Sequence, residues 1–189
     1  MTRPYIVPSH SGYTAIEMVV VVSMATILIA TLLVRFTPIH ENIALNSTMH
    51  QLLLDIRRAQ NMAVAVTRTG PVLAPARRFG MRLSSVPGSN TSYALFADGA
   101  GGTANNQYDA PGERIGSDKL LEGGIRVTSL SGGIPVLDLL FYAPEGIPVF
   151  FDGSGNPIVT NVMTIVLSSP SGARTRTITV RITGQVDAQ

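Results

Sequence analysis

A single carboxylate interrupts a long apolar run near the start of the sequence. Residues 15–34 read AIEMVVVVSMATILIATLLV, and Glu17 is the only charged residue among them. A helix rises about 1.5 Å per residue, so this run is long enough to cross a hydrocarbon core of about 30 Å. A charged side chain in that core costs roughly 2.5–3.5 kcal/mol. Glu17 therefore needs a cationic partner or a shallow position.

Two simple interpretations of the apolar run leave Glu17 unexplained. A secretory signal peptide would use residues 1–12, with Arg3, as its cationic region. The run is longer than usual for such a peptide, however, and no small-x-small cleavage site follows it. A plain single-pass anchor fits the length of the run well. Neither interpretation accounts for a carboxylate inside it.

The residues before Glu17 resemble the prepilin motif of type IV pilins and pseudopilins. Residues 11–17 read SGYTAIE, with Tyr13 where the family usually has Phe and Ala15 where it has Leu. In that family a peptidase cuts after the glycine and methylates the new N-terminus. The resemblance implies cleavage between Gly12 and Tyr13, N-methylation of Tyr13 and a role for Glu17 in assembly. It also implies three partners: prepilin peptidase, other pilin or pseudopilin subunits, and the inner membrane.

Cleavage after Gly12 would supply the partner that Glu17 needs. The new amine on Tyr13 is cationic, and Glu17 follows four residues later, on the same face of a helix. In a low dielectric the ammonium and the carboxylate attract strongly, whether they belong to one chain or to neighbouring subunits. The family resemblance favours the neighbouring subunit. Gly12 lacks a Cβ, which lets a peptidase approach the main chain closely.

The pattern after the apolar run predicts a long, two-part helix. Thr37 and Pro38 fit the N-cap and first position of a restarted helix, or Pro38 kinks one continuous helix. Thr69-Gly70-Pro71 predicts its end. Polar residues such as Asp55 fall off the apolar stripe, which we expect to face the core. The stripe comprises Leu45, Met49, Leu52, Leu53, Ile56, Ala59, Ala63 and Val66.

Residues beyond 71 predict short antiparallel strands separated by Gly- and Pro-rich turns. The clearest hairpin joins residues 163–168 to 175–183. In its second strand Ile178, Val180 and Ile182 alternate with polar residues, so one face is buried. The other predicted strands span 78–83, 93–97, 125–130, 136–142 and 148–151. The fold class is therefore α+β, with a long N-terminal helix packed on an antiparallel β-sheet domain.

The body of the sequence resembles the GspH/FimT branch of pilin-like proteins. Residues 52–63 read LLLDIRRAQNMA, a leucine-rich turn followed by Arg-Ala and a further alanine, and the last hairpin with Gly184 is also similar. Small Ala59 and Ala63 let a sheet pack closely on the helix. The resemblance implies a pilin-like layout, with a leader at 1–12, a transmembrane helix at 13–36, an amphipathic helix at 37–70 and a β-rich globular domain at 71–189.

The composition excludes several kinds of chemistry. The chain has no Cys, which excludes a thiolate metal site, a Cys nucleophile and a disulfide framework. No Ser-His-Asp arrangement fits, because His10 lies in the leader and His40 and His50 lie on the helix. We therefore expect no enzymatic activity and no cofactor. With 14 Lys and Arg against 12 Asp and Glu the net charge is +2, which does not favour nucleic acid as a partner.

One Gly- and Asn-rich segment collects potential oxygen ligands. Residues 98–102, Asp-Gly-Ala-Gly-Gly, follow a predicted strand, but the residues after them do not form the helix that a dinucleotide loop requires. Ca²⁺ takes about 6–8 oxygens, often from loops of this kind. The spacing is not that of an EF-hand, and a solvated hairpin tip is the simpler expectation. The calcium hypothesis rests on Asp98, Asn105, Asp109 and Glu113, with Asn106 beside them.

Arginines are concentrated in two places, and we expect both to be solvated charged surfaces. Some FimT-like members bind DNA through C-terminal arginines, which makes DNA contact an alternative for the last hairpin. That motif is not clearly reproduced, since Gly184 is followed by Gln185-Val186-Asp187. The first group is Arg57, Arg58, Arg68, Arg77, Arg78 and Arg82. The group on the last hairpin is Arg174, Arg176 and Arg181.

Together these features predict a minor pseudopilin or pilin subunit of a type II secretion pseudopilus or a type IV pilus. The protein would span the inner membrane once, with its C-terminal domain outside the cytoplasm, and enter a filament through its N-terminal helix. Two alternatives are kept. One is a FimT-like DNA-binding minor pilin for DNA uptake, and the other is a membrane-anchored β-domain that does not assemble.

Overall fold

A computed structural model describes residues 12–65, 78–100, 104–109 and 111–189, with the main chain alone described at 33–38. Its long helix, α1, spans Ala15–Val64. The chain divides into two units, residues 1–40 and 41–189, and α1 contributes to both. The predicted helix end at Thr69-Gly70-Pro71 lies outside the described residues, as do Val66 and the leader up to residue 11.

The first unit contributes an apolar helical segment. The 18 residues Ala15–Leu32 have a mean hydropathy of 2.3, and none of them is buried by the rest of the chain. At about 1.5 Å per residue, a helix of this length approaches the thickness of a hydrocarbon core. The chain therefore has an N-terminal helix long and apolar enough to span a membrane.

The second unit contains two antiparallel sheets built from nine strands among the described residues. The five-stranded sheet has the order β3-β2-β1-β5-β6, and the four-stranded sheet has the order β4-β7-β8-β9. The strands are β1 (Arg78–Ser84), β2 (Ser92–Asp98), β3 (Lys119–Leu120), β4 (Arg126–Leu130), β5 (Val136–Tyr142), β6 (Ile147–Asp152), β7 (Val162–Ser168), β8 (Thr175–Arg181) and β9 (Val186–Ala188). The second part of α1 packs on this β-structure, so the α+β fold class is confirmed.

Alternation along the strands separates an apolar face from a polar one. In β1, Phe79, Met81 and Leu83 are fully buried in the main core, whereas Arg78 and Arg82 point to the opposite face. Successive side chains of a strand point to opposite faces. The core therefore lies between α1 and one face of the sheets, and the arginines of β1 lie outside it.

The second part of α1 buries the stripe that its spacing predicts. Leu53 is half-buried against the core rather than inside it. The exposure of the other described stripe residues is 7% or less, so the helical period located the core face correctly. These residues are Leu45, Met49, Leu52, Ile56, Ala59 and Ala63.

Two glycines allow loops to approach α1 closely. Gly123 has a φ of 65°, and a Cβ added to it would lie 2.7 Å from the Cβ of Ala44. Gly184 has a φ of 85°, and a Cβ there would lie 2.8 Å from Gln60 Nε2. Gln60 donates hydrogen bonds to the carbonyl oxygens of Gly146 and Gly184 at 3.2 and 3.4 Å. These contacts fix the loops against the helix.

The predicted strands are present, with three differences. Strands β3 and β9 were not predicted, because two or three residues are too few to show alternation. Strand β8 ends at Arg181 rather than residue 183. Ile182 is consequently not part of the buried face, and 48% of its surface is exposed.

Candidate functional site

Thr14 caps the N-terminus of α1, and Glu17 lies in the first turn. The main-chain N–H of Glu17 donates to Thr14 Oγ1 at 3.3 Å. A Thr three residues before a Glu is the pattern of a capping box, and an acid in the first turn interacts favourably with the helix dipole. Gly12 and Tyr13 precede the helix in exposed positions. Thr14 therefore caps the helix at the main chain of Glu17, a contact that the prepilin resemblance did not indicate.

The rest of this segment satisfies its polar groups internally. Three hydroxyls donate to main-chain carbonyl oxygens of the preceding turn: Ser23 to Val19 at 2.7 Å, Thr26 to Val22 at 2.8 Å, and Thr31 to Leu28 at 2.8 Å. Such bonds suit a helix surrounded by lipid or by other helices, where water is absent. Among the described residues none forms an ion pair with Glu17. Glu17 is also the only charged residue between positions 15 and 32.

Asp98 organises the Gly- and Asn-rich segment from beneath. Its carboxylate accepts hydrogen bonds from the main-chain N–H groups of Asn105 at 3.0 Å and Asn106 at 3.1 Å. It also accepts from Arg78 Nη1 at 3.0 Å. The Arg78 guanidinium lies 4.8 Å from the centroid of the Tyr142 ring. Asp98 therefore joins the segment to the outer face of the five-stranded sheet.

Glu113 anchors the same segment a second time. It is 3% exposed and accepts hydrogen bonds from the main-chain N–H groups of Gly99 at 2.7 Å and Asp109 at 3.0 Å. Burial raises the pKa of Glu113. These two bonds lower that pKa, and the charges of Asp98 and Asp109 raise it again, so the net direction is upward. Glu113 is a buried acid held by main-chain donors.

The calcium hypothesis receives no support from these contacts. The parts of the chain that the structure describes contain no group of three or more His, Cys, Asp or Glu placed to hold a metal ion. Asp98 and Glu113 already accept main-chain donors, and Asn105 Nδ2 donates to Asp109 Oδ2 at 2.7 Å. These side chains are thus engaged in hydrogen bonds within the segment, and calcium binding stays a prediction.

Arg82 forms a second buried ion pair on the outer face of the sheet. Its Nε and Nη2 atoms donate to the two carboxylate oxygens of Asp138 at 2.7 and 2.5 Å, and Asp138 is fully buried. Burial lowers the pKa of Arg82, but the hydrogen bonds and charge of Asp138 outweigh it and raise that pKa. The expectation of a solvated charged surface is therefore wrong for Arg78 and Arg82. Arg68 and Arg77 lie outside the described residues.

The three arginines of the last hairpin have different environments. Arg176 donates to Asn46 Oδ1 at 2.9 Å and to Asn42 Oδ1 at 3.3 Å, which ties β8 to α1. Arg181 pairs with Asp187 at 3.6 Å. Arg174 is exposed, and at about 3.3 Å per strand residue it lies about 23 Å from Arg181. The arginines are not gathered into one basic cluster, and DNA binding stays a prediction.

A charged contact between the helix and the sheet edge, formed by Asp55 and Lys119, has no signal in the local sequence. Asp55 is 5% exposed, and both its oxygens accept from Lys119 Nζ at 2.7 Å. The Tyr93 hydroxyl donates to Asp55 at 2.5 Å. Burial, followed by the hydrogen bond and charge of Asp55, raises the pKa of Tyr93. Asp55 stands off the apolar stripe, so its position indicated a solvated acid, and no local spacing relates it to Lys119.

Comparison with protein-family models, with curated proteins and with solved structures finds no match. The structure itself shows two general features, an α+β body and an apolar helix long enough to span a membrane.

Proposed function

We propose that the chain is a minor subunit of a pilin-like filament. It is a GspH-type pseudopilin of a type II secretion pseudopilus or the corresponding subunit of a type IV pilus. Prepilin peptidase cuts between Gly12 and Tyr13 and methylates Tyr13. The protein waits in the inner membrane with its β-rich unit outside the cytoplasm, and the apolar segment of α1 then packs among other subunits.

One observation carries this proposal: Glu17, four residues after Tyr13 in an exposed apolar helix, has no ion-pair partner among the described residues. Gly12 and Tyr13 are exposed, so a peptidase can reach the bond between them. A carboxylate buried among packed helices needs a cation, because an uncompensated charge there is strongly destabilising. The amine that cleavage frees on Tyr13 of a neighbouring subunit meets that need at Glu17.

The body supports the proposal more generally. The second part of α1 buries its apolar stripe against antiparallel sheets, as the family resemblance implies for a pilin-like protein. The first part is apolar on every side, and its hydroxyls are satisfied within the helix. This division suits a protein whose first segment passes from lipid into a helical bundle without changing its own hydrogen bonds.

The first test is the intact mass of the protein purified from a host that carries prepilin peptidase. We expect the mass of residues 13–189 plus one methyl group, with Tyr13 as the modified residue by fragmentation. A mass that includes the residues before Tyr13 contradicts processing, and with it the filament proposal.

The second test separates the charge of Glu17 from its position in the capping box. Glu17→Gln removes the charge and keeps a side chain that can complete the box. We expect this variant to be cleaved and inserted in the membrane but absent from sheared filaments, as judged by immunoblotting. The matched control is Thr14→Val, which keeps the acid and removes the capping hydroxyl at a cost of about 1 kcal/mol. We expect the control to assemble.

The two variants also discriminate between the interpretations of the helix. A chain that is anchored but never assembles gives no difference between Glu17→Gln and the parent. If Thr14→Val blocks assembly and Glu17→Gln does not, Glu17 acts through the helix cap and the proposal loses its main support.

A further inference from the structure

A cavity of about 520 Å³ opens between α1 and residues 117–122. Ligand sites in proteins commonly have volumes of about 300–1,000 Å³. Residues of the helix form one wall, and β3 with its flanking residues forms the opposite wall. The lining is rich in hydroxyl, amide and ammonium groups, contributed by Ser47, Thr48, Gln51, Tyr93, Ser117 and Lys119.

Strand β3 borders this cavity and has an unpaired edge, because it is the terminal strand of its sheet among the described residues. Lys119 pairs with Tyr93, and the main-chain N–H of Leu121 donates to the carbonyl oxygen of Thr91 at 2.8 Å. Main-chain bonds alternate along an antiparallel strand, so the N–H and C=O of Leu120 are directed away from β2. The Leu120 side chain is 74% exposed. Both the main chain and the side chain of Leu120 are thus free to contact another strand.

The helix wall of the cavity contains a buried hydroxyl without a partner. Thr48 is 4% exposed, and its Oγ1 makes no hydrogen bond with any described residue. A buried polar group left in this state costs about 1–3 kcal/mol. Thr48 contributes to the cavity wall, but its Oγ1 atom is itself buried, so a ligand in the cavity does not contact this hydroxyl. Nearby, the contacts of Asp55 with Lys119 and Tyr93 hold the wall in place.

The border of the cavity is acidic. Asp118 precedes β3 and Glu122 follows it, and both are exposed and line the cavity. Arg114 pairs with Asp118 at 3.3 Å, and Asp55 neutralises Lys119. Glu122 forms no ion pair within the described part of the chain. The charge left over beside the strand edge is therefore negative and attracts a cationic group.

We propose that β3 is a docking edge for an extended, basic peptide segment of a partner protein. The segment adds a strand beside β3 and exchanges main-chain hydrogen bonds with Leu120. Its side chains enter the cavity between α1 and β3, and a Lys or Arg lies against Glu122. Strand addition at a sheet edge obtains affinity from main-chain bonds and specificity from pockets for side chains. The site functions in the same way whether or not the chain enters a filament.

The test uses the full chain in uncharged detergent micelles at near-physiological salt. The probes are fluorescein-labelled hexapeptides that alternate Lys with Val, Ile, Thr or Tyr, and fluorescence anisotropy measures their binding. One matched set replaces every Lys by Glu, and another replaces the third residue by Pro, which removes a main-chain donor. We expect binding by the basic set alone. If no basic peptide binds, or if the Pro-containing peptides bind equally well, the proposal is overturned.

Substitutions in the chain locate the site. Glu122→Gln should weaken binding about two- to fivefold, the effect of one exposed ion pair. Thr48→Val keeps the side-chain shape and removes a hydroxyl that a ligand in the cavity does not contact, so it should stabilise the free protein and leave binding unchanged. The matched control is Glu145→Gln, an exposed acid in the turn between β5 and β6, and it should leave binding unchanged. If Glu122→Gln does not differ from that control, the edge of β3 is not the site.

Discussion

The two parts of α1 differ in the burial of their apolar side chains and in the ion pairing of their acids. In residues 15–32 the apolar side chains surround the helix and none is buried. In the second part, from residue 41 onward, they form one stripe that packs into the core. Glu17 has no ion pair among the described residues, whereas Asp55 is bound by Lys119 and Tyr93.

This difference shows where the interactions of each part must come from. The second part obtains its interactions from within the chain, since the sheets cover its stripe and β3 supplies a cation to its acid. The first part obtains none of these from the described residues, which agrees with the proposal that lipid or other helices cover it. The partner of Glu17 is accordingly expected in another molecule or at a new terminus, which is the physical basis of the filament proposal.

The largest expected effect comes from truncating the stripe. Leu52→Ala should lower the free energy of unfolding of the β-rich unit by about 3 kcal/mol, because Leu52 is fully buried and its loss leaves a cavity. Urea unfolding of the full chain in detergent, followed by circular dichroism, measures this change. Leu54→Ala is the matched control, since Leu54 is 61% exposed on the same helix, and it should cost less than about 0.5 kcal/mol.

A third substitution extends this comparison to the first part of the helix. Leu28→Ala lies in the exposed apolar segment and should leave unfolding of the β-rich unit unchanged. If Leu28→Ala destabilises that unit as strongly as Leu52→Ala, the two parts of α1 are not independent in the way described.

The sequence predicts most of what depends on local periodicity. The buried stripe follows from apolar residues recurring at the helical period, and the β7–β8 hairpin follows from alternation on both sides of a Ser-Pro-Ser-Gly turn. Both are local patterns, each visible within about fifteen residues. The Thr-x-x-Glu pattern at Thr14 and Glu17 is equally local, and the structure shows one of its two hydrogen bonds, from the main-chain N–H of Glu17 to Thr14 Oγ1.

Contacts between segments that are far apart in the sequence cannot be predicted from local periodicity. Asp55 and Lys119 are 64 residues apart, and nothing near either residue indicates the pairing. Arg78 and Arg82 occupy the polar positions of β1, so they were expected in solvent. Their carboxylate partners, Asp98 and Asp138, come from the two neighbouring strands.

The second-largest expected effect tests whether the stability contributed by Asp55 depends on its ion pair with Lys119. Asp55→Asn keeps the shape and a hydrogen bond to Tyr93 but leaves Lys119 without its counter-charge. We expect a loss of about 2–3 kcal/mol in the same unfolding measurement. This lies below the full cost of breaking a buried pair, because the Lys119 side chain is 30% exposed.

Two other acids serve as controls for Asp55. Asp118→Asn breaks an exposed pair with Arg114 and should cost less than about 1 kcal/mol. Glu17→Gln should leave unfolding of the β-rich unit unchanged, although we expect it to block filament assembly. A loss at Asp118 equal to that at Asp55 would show that burial of the pair is not what makes Asp55 matter.

The smallest effect concerns Glu113, a buried acid that has main-chain donors but no cationic partner among the described residues. Burial raises its pKa in the folded protein above the ordinary value of 4.5, so the folded state favours the protonated form. The stability that this provides is fully present below about pH 4.5 and is lost as the pH rises through the folded pKa. Asp55 differs from Glu113 in having the ammonium of Lys119 beside it.

Glu113→Gln is a permanent mimic of the protonated acid, which makes it the variant for a pH series. The difference in unfolding free energy between parent and variant should shift against the parent between pH 4 and pH 7. The change should be smaller than the loss at Asp55. Glu145→Gln, at an exposed acid outside the segment, controls for a general effect of removing a carboxylate. A parent that gains stability relative to Glu113→Gln over this range would mean that the two main-chain bonds outweigh burial. Main-chain donors alone would then compensate a buried carboxylate as well as the ammonium of Lys119 does.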